Sequence, residues 1–366
     1  MKKYDICIIG GGAAGCIAAI CAKRMNKRAS VCILEKNRDI LRKVAASGNG
    51  RCNISNSRTK YSREIQDFFA SVGVFFAEED EGRLYPYNRS SQAVIDALKI
   101  QLEKNNVDIF TKAEVSSVEK GFTVRSSAGD ISAGAVLIAS GGKSSPEFGT
   151  TGDGFRFARE LGHTVSALRP SLTAIDCIGP FEKLKGLRAI ADVTLKKDGR
   201  AIVTEHGEVQ FTESGFSGIC IFNLSGYLKL EDGESFDEGM SRYSISVNFV
   251  PDMDDEQLAS VLAAGGKISL LKKPMIDLIS DDEISDWNVQ VRGAKGWKKS
   301  QVTAGGVVLS EIDLSVMESS IVKNLYFAGE VIDYDGPCGG YNLASAWITG
   351  IRAGKAMAGN VQSESV

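Results

Sequence analysis

The first ordered signal along the chain is an apolar run, YDICII at residues 4–9, long enough for one buried strand. Small and apolar residues continue over Ala13–Arg28 in a helical pattern, and ASVCIL at 29–34 reads as a second buried strand. Strand, helix and strand in this order predict a parallel pair, because parallel strands need a crossover connection. Residues 61–72 and 91–105 read as helices, the second carrying Val94, Ile95, Leu98 and Leu102 on one face. Residues 107–133 break into short runs divided by Lys120-Gly121 and Gly129-Asp130, the pattern of a small meander. Gly134–Ala139 (GAVLIA) is a further buried strand.

Between about Pro170 and Gln301 the pattern changes. ADVTLKKDGRAIVTEHGEVQFT and RYSISVNFV read as strands joined at Gly and Asp turns, and Asp254–Ser280 reads as mainly helical. Signals of the first kind return at Asn324, where NLYFA forms a strand and a helix runs from Tyr341 to about Met357. The expected organisation is one α/β domain in two sequence blocks, residues 1–169 and 302–366. A β-rich domain with a short helical segment, residues 170–301, is inserted between them. A polar tail after Gly359 is expected to fray.

With 366 residues, 43% hydrophobic and 24% charged, the chain is ample for a sizeable core. A net charge of -3 gives no global basic footprint for nucleic acid. The eight cysteines are scattered through strands and helices, which fits free thiols in the cytoplasm, the expected compartment. Cys16 and Cys21 lie in one predicted helix, where five residues rotate about 140° and aim the sulfurs apart. Lys2-Lys3 followed by Ile6–Ala22 resembles a signal peptide, but such a segment has no use for glycines at nucleotide-loop spacing. No stretch approaches membrane-spanning length, and no metal site is expected.

Gly10-Gly11-Gly12-Ala13-Ala14-Gly15 fits G-x-G-x-x-G, directly after a strand and opening a helix. In such a turn the first glycine permits the tight bend, the second lets the backbone reach a pyrophosphate, and the third lets helix and strand pack closely. The helix start then offers unpaired N–H groups to phosphate oxygens. Glu35 ends the second strand, where a carboxylate accepts from ribose hydroxyls and repels a 2′-phosphate. NADP is therefore disfavoured here, and the turn alone leaves NAD and FAD open.

The C-terminal segment separates them. Gly329-Glu330 ends a strand, a Gly- and Asp-rich loop follows through Asp333, Asp335, Gly336, Gly339 and Gly340, and a helix begins at Tyr341. A strand-end carboxylate suits a sugar-alcohol hydroxyl, and a helix start suits a ring that becomes anionic. A ribityl chain and a reduced isoalloxazine need both, so FAD is the expected cofactor. Small residues Ala344, Ala346, Gly350, Ala353 and Gly354 predict tight packing of this helix on the sheet. The loop RKVAASGNGRCN at 42–53 is rich in Gly and Asn and reads as a backbone contact for flavin and pyrophosphate, against the plainer reading of a surface loop.

The segments IIGGGAAG, SGNGRCN, GRLYPYN, ASGGKSSPEFGTTGDG with ELGH, TAGGV and NLYFAGEVIDYDGPCGGYNLASAWITG span nearly the whole chain. In them the chain resembles the BaiN-like (YhiN) family of FAD-dependent oxidoreductases, a branch of the glutathione-reductase-type flavoproteins. The resemblance implies a Rossmann-like FAD-binding domain interrupted by a β-rich insert that covers the substrate. It implies that Gly10, Gly12, Ala13, Ala14, Gly15, Glu35 and Lys36 hold the ADP half, with Val115 at the adenine and Ser140-Gly141 beside it. It places Lys43, Ser47, Gly48, Gly50, Arg51, Cys52 and Asn53 near the flavin, completed by Gly329, Glu330, Gly340, Tyr341, Asn342 and Leu343. Thr151–Gly154 is read as a cap of the following helix in preference to a substrate contact, the two not excluding each other. The chain departs from the family at Thr212–Ile219 (TESGFSGI), where a Thr-His-x-Gly-x-Ser-Gly-Pro run is usual, and its insert is short.

A flavin moves hydride, and the protein supplies position, electrostatics and at most one proton. The expected reaction is reduction by a transiently bound NAD(P)H, then hydride transfer to an unsaturated small molecule. The rival readings are an amine or alcohol oxidase and an enzyme that reduces a base in ribosomal RNA. The candidate catalytic residues are Cys52 and Cys338, in loops assigned to the flavin, and Tyr341 at the helix start, against its plainer reading as a packing residue there. His163 reads as a helix C-cap and His206 as part of a hairpin turn. Arg292, Lys295, Trp297, Lys298 and Lys299 form the basic, aromatic patch on which RNA contact would rest, against the reading of a solvated loop.

Overall fold

The computed structural model describes residues 1–231 and 233–363. The N-terminal apolar run becomes strand β1 (Lys2–Ile9), buried from Ile6 onward. Helix α1 (Ala13–Met25) ends short of Arg28, because Asn26 turns to an extended conformation while its N–H still closes on Ala22. Strand β2 (Val31–Glu35) is buried along its length. With β3 (Asp108–Thr111), β4 (Ile131–Ile138) and β5 (Leu325–Phe327) it forms a parallel sheet in the order β5-β4-β1-β2-β3. The apolar side chains of β1, β2, β4 and β5 are covered on both faces, the usual state of a parallel sheet, while the edge strand β3 is largely exposed.

The meander expected over 107–133 needs correction at its first strand. Residues 108–111 return from the helix Ser91–Lys104 and pair parallel with β2, as the end of a crossover does. Only Val115–Val118 and Thr123–Ser126 form the antiparallel extension, pairing with each other and then with β4.

Helix α2 (Tyr341–Ser363) outruns its expected end at Met357. It continues past Gly359, so the frayed tail is not seen up to Ser363, and residues 364–366 lie outside those described. It packs on the sheet as expected and, more extensively, on α1, which its glycines face. A Cβ at Gly350 would sit 2.5 Å from the Ala14 carbonyl oxygen, and one at Gly354 2.3 Å from that of Ala18. Glycine there lets two helix backbones touch.

The chain divides into two compact units, residues 1–169 with 302–366, and residues 170–301. The second is a closed antiparallel barrel. Around it run Ile175–Ile178, Gly215–Ser217, Arg200–Phe211, Arg188–Lys197, Tyr243–Asn248 and Trp287–Ala294. Phe181, Phe211, Phe216 and Trp287 pack ring to edge within its core. The turn between its long strands is Asp198-Gly199, both at positive φ. His206 therefore lies in mid-strand and not in the turn, with Nδ1 2.7 Å from Asp192 Oδ1 on the neighbouring strand. The helical stretch 254–280 is broken into Asp255–Ala263, Lys267–Leu270 and Lys273–Ile276, interrupted at Gly265-Gly266 and restarted at Pro274. Lys295 is withdrawn from the basic patch by an ion pair with Asp176 at 2.8 Å.

Among the described residues no helix is long and apolar enough to cross a membrane, and no cluster of metal-ligating side chains occurs.

Candidate active site

The order of winding in the parallel sheet reverses between β1 and β4, with all strands still parallel: β2 and β3 lie on one side of β1, β4 and β5 on the other. Such a switch point opens a crevice at the carboxyl ends of the strands, the usual ligand site of open α/β sheets. Four strand ends converge there, carrying Gly10, Glu35, Ser140 and Gly329-Glu330.

The glycine turn fits a phosphate by its shape. A Cβ on Gly12, the N-cap of α1, would meet nothing within 4 Å, whereas one on Gly15 would fall 2.0 Å from the Gly10 carbonyl oxygen. Gly12 thus faces open space at a helix start with no side-chain cap, and Gly15 is required by helix-to-strand contact. Ala13 and Ala14 form the first turn behind it.

Glu35 is buried beside this turn. Its Oε2 accepts from the Gly11 N–H at 2.9 Å, and its Oε1 from the Asn37 N–H and side-chain amide, both at 2.7 Å. A carboxylate has about four acceptor positions, so capacity for a hydroxyl remains. The chain leaving β3 passes the same point: the Ala113 N–H donates to the Glu35 carbonyl at 2.9 Å, and buried Val115 follows. Lys36 turns away to Thr151 and Asp153. Thr151–Gly154 holds the helix start as expected, with Gly152 at the N-cap but no side-chain cap bond, and Asp153 in the first turn held by Lys36. Ser140 presents a buried Oγ with no partner among the described residues, next to Gly141 at positive φ.

On the other side of the crevice Lys43, in the short helix Arg42–Ala46, donates to Glu330 Oε2 at 2.7 Å. Glu330 Oε1 accepts from the Thr303 N–H at 2.8 Å, and Thr303 Oγ1 accepts from the Lys143 and Ser144 N–H groups. The loop 47–53 is wound tightly, with Gly48, Asn49, Gly50 and Cys52 at positive φ and the Cys52 N–H closing on the Ser47 carbonyl at 2.9 Å. It docks on the start of α2. Asn53, its amide oriented to satisfy both neighbours, donates to the Ser55 carbonyl at 3.0 Å and accepts from the Gly340 N–H at 3.2 Å. The Trp347 indole donates to the Ile54 carbonyl at 3.0 Å. Asn342 fastens the preceding loop through the Gly336 N–H and carbonyl, both at 2.8 Å. Leu343 packs against the core, and Tyr341 opens the helix.

The structure thus brings together the glycine turn, Glu35, the 47–53 loop and the 329–343 segment, which the sequence scatters over the whole chain. It also adds residues that sequence reading passed over. Asn37 and Thr303 orient the two carboxylates, and Glu79 and Tyr85 of the hairpin Phe76–Pro86 contact Arg51. For Tyr85 and Thr303 the motifs GRLYPYN and TAGGV were the available signal; Asn37 and Glu79 lie in neither.

Cys52 is placed against its candidacy as a catalytic thiol. It is fully buried, and burial pushes its thiol up to about 12. Cys338 is half-buried and raised by burial as well. His163 is a C-cap by its backbone alone. Its N–H closes on the Ala158 carbonyl at 2.9 Å beyond Gly162, while its buried ring goes elsewhere, to Glu311 and Ser319.

A Rossmann-type sheet with a phosphate turn, a strand-end carboxylate on each side of the switch point and a second helix start behind a glycine loop defines an FAD-dependent oxidoreductase. The chain belongs to the HI0933-like family: the family described as "HI0933-like protein Rossmann domain" matches residues 4–67 and 60–356. It is 31% identical to a 3-dehydro-bile acid delta(4,6)-reductase from Clostridium scindens, over 96% of this chain and 98% of that one. It is 29% identical to a ribosomal RNA dihydrouridine synthase from Escherichia coli K12, over 95% and 96%. The fold is similar to a 3-ketosteroid-delta4-(5alpha)-dehydrogenase from Rhodococcus jostii RHA1, with a TM-score of 0.53 at 15% identity, covering 98% of this chain and 97% of that one.

Proposed function

We propose that the protein reduces a carbon–carbon double bond in a small unsaturated acceptor, with NAD(P)H as the transient electron donor. The observation that carries this reading is that two relatives aligned over nearly their full lengths are named for putting hydrogen into an unsaturated substrate.

In this reading Gly10, Gly12, Ala13, Ala14 and Gly15 receive the pyrophosphate, and Glu35 receives the adenosine ribose. Val115 borders the adenine, and Ser140-Gly141 lines the ADP half. Lys36 acts only indirectly, through Asp153 and Thr151. Glu330, oriented by Lys43 and Thr303, takes the ribityl hydroxyls. Ser47, Gly48, Gly50 and Asn53 offer backbone and amide groups to the ring, and Gly340, Tyr341, Asn342 and Leu343 bring the start of α2 against it. Bound FAD supplies a two-electron carrier that accepts and delivers hydride. The chain's share is to fix the ring, exclude water and stabilise charge on the acceptor.

A small molecule is favoured over RNA as the acceptor, because Lys295 is neutralised by Asp176 and the overall charge is negative. The test is anaerobic. The purified yellow protein is titrated with NADH and NADPH, then mixed with 4-androstene-3,17-dione or with ribosomal RNA. Bleaching by a nicotinamide and recovery of colour with the enone is expected. Failure of both nucleotides removes the donor assignment, and recovery with RNA alone moves the acceptor to a nucleic acid base.

A further inference from the structure

Arg51 leaves the tight 47–53 loop and lies over the ring of Tyr85, its guanidinium 4.1 Å from the ring centre. One Nη2 hydrogen bond reaches Glu79. Its Nε is buried without a partner, while the side chain as a whole is 41% exposed. A guanidinium carries five N–H donors in a rigid fork, so this one has donors to present beyond its bond to Glu79.

The neighbouring charges make Arg51 different from the other cations of the site. Lys43 is held by Glu330 at 2.7 Å, and Arg83 by Glu81 at 2.8 Å and the Asp80 carbonyl at 3.0 Å. Arg89 is held by Glu79 at 2.6 Å and by the carbonyls of Pro86 and Tyr87. Arg51 must therefore share Glu79 with Arg89: two guanidinium groups answer to one carboxylate, and a positive charge is in surplus. Tyr85, the shelf beneath Arg51, is itself only 8% exposed. Its ring abuts Gly48, where a Cβ would lie 3.3 Å from Tyr85 Cε1, so shelf and flavin loop are one packed assembly.

We propose that the Arg51 guanidinium binds the carbonyl oxygen of the acceptor and stabilises the negative charge that develops on it, with Glu79 as its positioning residue. The inference rests on the reading of the protein as a reductase of unsaturated acceptors. In a conjugated enone, a C–H bond forms at the β carbon with two electrons supplied by the reduced cofactor, and the carbon–carbon π bond breaks. Its electron pair moves to the carbonyl oxygen, giving an enolate. The enolate oxygen sits at Arg51 until the α carbon takes a proton from water. Donors aimed where charge develops, in a partly dried site, are the arrangement that lowers such a barrier. The stacked, Glu79-anchored guanidinium needs no rearrangement to serve.

The test uses the FAD-loaded enzyme and its Arg51→Gln variant. The first readout is FAD per chain. The second is binding of 4-nitrophenol to the oxidised enzyme, its phenolate standing in for the enolate. The third is anaerobic reoxidation of dithionite-reduced enzyme by 4-androstene-3,17-dione. Arg51→Gln is expected to keep its FAD, to bind the phenolate ~10–100-fold more weakly, and to reoxidise about 10²–10³-fold more slowly. Added guanidinium ion should restore part of that rate, and Glu79→Gln should give a smaller loss that guanidinium does not restore. Loss of FAD from Arg51→Gln would assign the side chain to the cofactor and overturn the proposal. So would phenolate binding and reoxidation at unaltered levels. An unaltered enzyme that binds 4-nitrophenol through Arg51 but is not oxidised by the enone would instead sink the reductase reading and leave the anion site standing.

Discussion

Glu35 Oε2 accepts the Gly11 N–H at 2.9 Å, so the carboxylate that ends β2 also holds the nucleotide turn in shape. A hydrogen bond to a buried charge contributes roughly 1.5–3 kcal/mol. Glu35→Ala should therefore do two things: release FAD, and lower the stability of the cofactor-free protein by about that amount. FAD content after gel filtration and a urea titration of the stripped protein measure the two effects separately. A variant that keeps full FAD would refute the assigned contact.

The two glycines of the turn should respond differently. A valine side chain at Gly12 enters open space, so Gly12→Val should fold and elute as the parent does, yet retain little FAD. Gly15→Ala places a methyl 2.0 Å from a backbone oxygen in the core, and should yield little soluble protein. If Gly12→Val keeps the flavin spectrum, the turn does not cradle the pyrophosphate.

His163 should make stability depend on pH. Burial holds its imidazolium form below the ordinary value of 6.5, opposed by Glu311. The neutral ring then donates from Nδ1–H to Glu311 at 3.1 Å and accepts the Ser319 hydroxyl at Nε2, 2.8 Å away. Below pH 6.5 the unfolded chain binds a proton that the folded one refuses, so stability falls as pH drops. Urea midpoints at pH 7.5 and 5.0 should show this loss, and His163→Gln should flatten the slope between them. A slope unchanged by the substitution would exclude His163 as its source.

Thiol chemistry should single out Cys338. The other seven cysteines are buried, Cys52 completely. A disulfide reagent added to the native protein should label one fast thiol, absent in Cys338→Ser, with a rate that climbs above the ordinary cysteine range because burial raises its pKa. Rapid labelling of Cys52 would reopen its case as a catalytic group.

Local pattern was enough to read the sheet strands and the glycine turn between strand and helix, because period, glycine spacing and the strand-end Glu35 are written in nearby residues. Three features escaped local reading for a common reason. Asp108–Thr111 looks like any short strand, and only its arrival from a helix decides that it pairs parallel with β2. The small residues of α2 signal close packing, yet not that the neighbour is α1. His206 precedes a glycine and reads as a turn, while pairing with Asp192 keeps it in mid-strand.

The sequence by itself determined the class of protein: an α/β nucleotide fold with a second, flavin-type signature at the far end of the chain. Tertiary structure decided which side chains work together. Lys43 meets Glu330 across 287 positions of the chain, and Arg51 finds Glu79 and Tyr85 on a hairpin that its own loop does not specify. Backbone propensity and hydrophobic period act over a few residues and leave a local imprint. Charge pairing and the burial of a thiol depend on what the folded chain places alongside, and that has no local imprint to read.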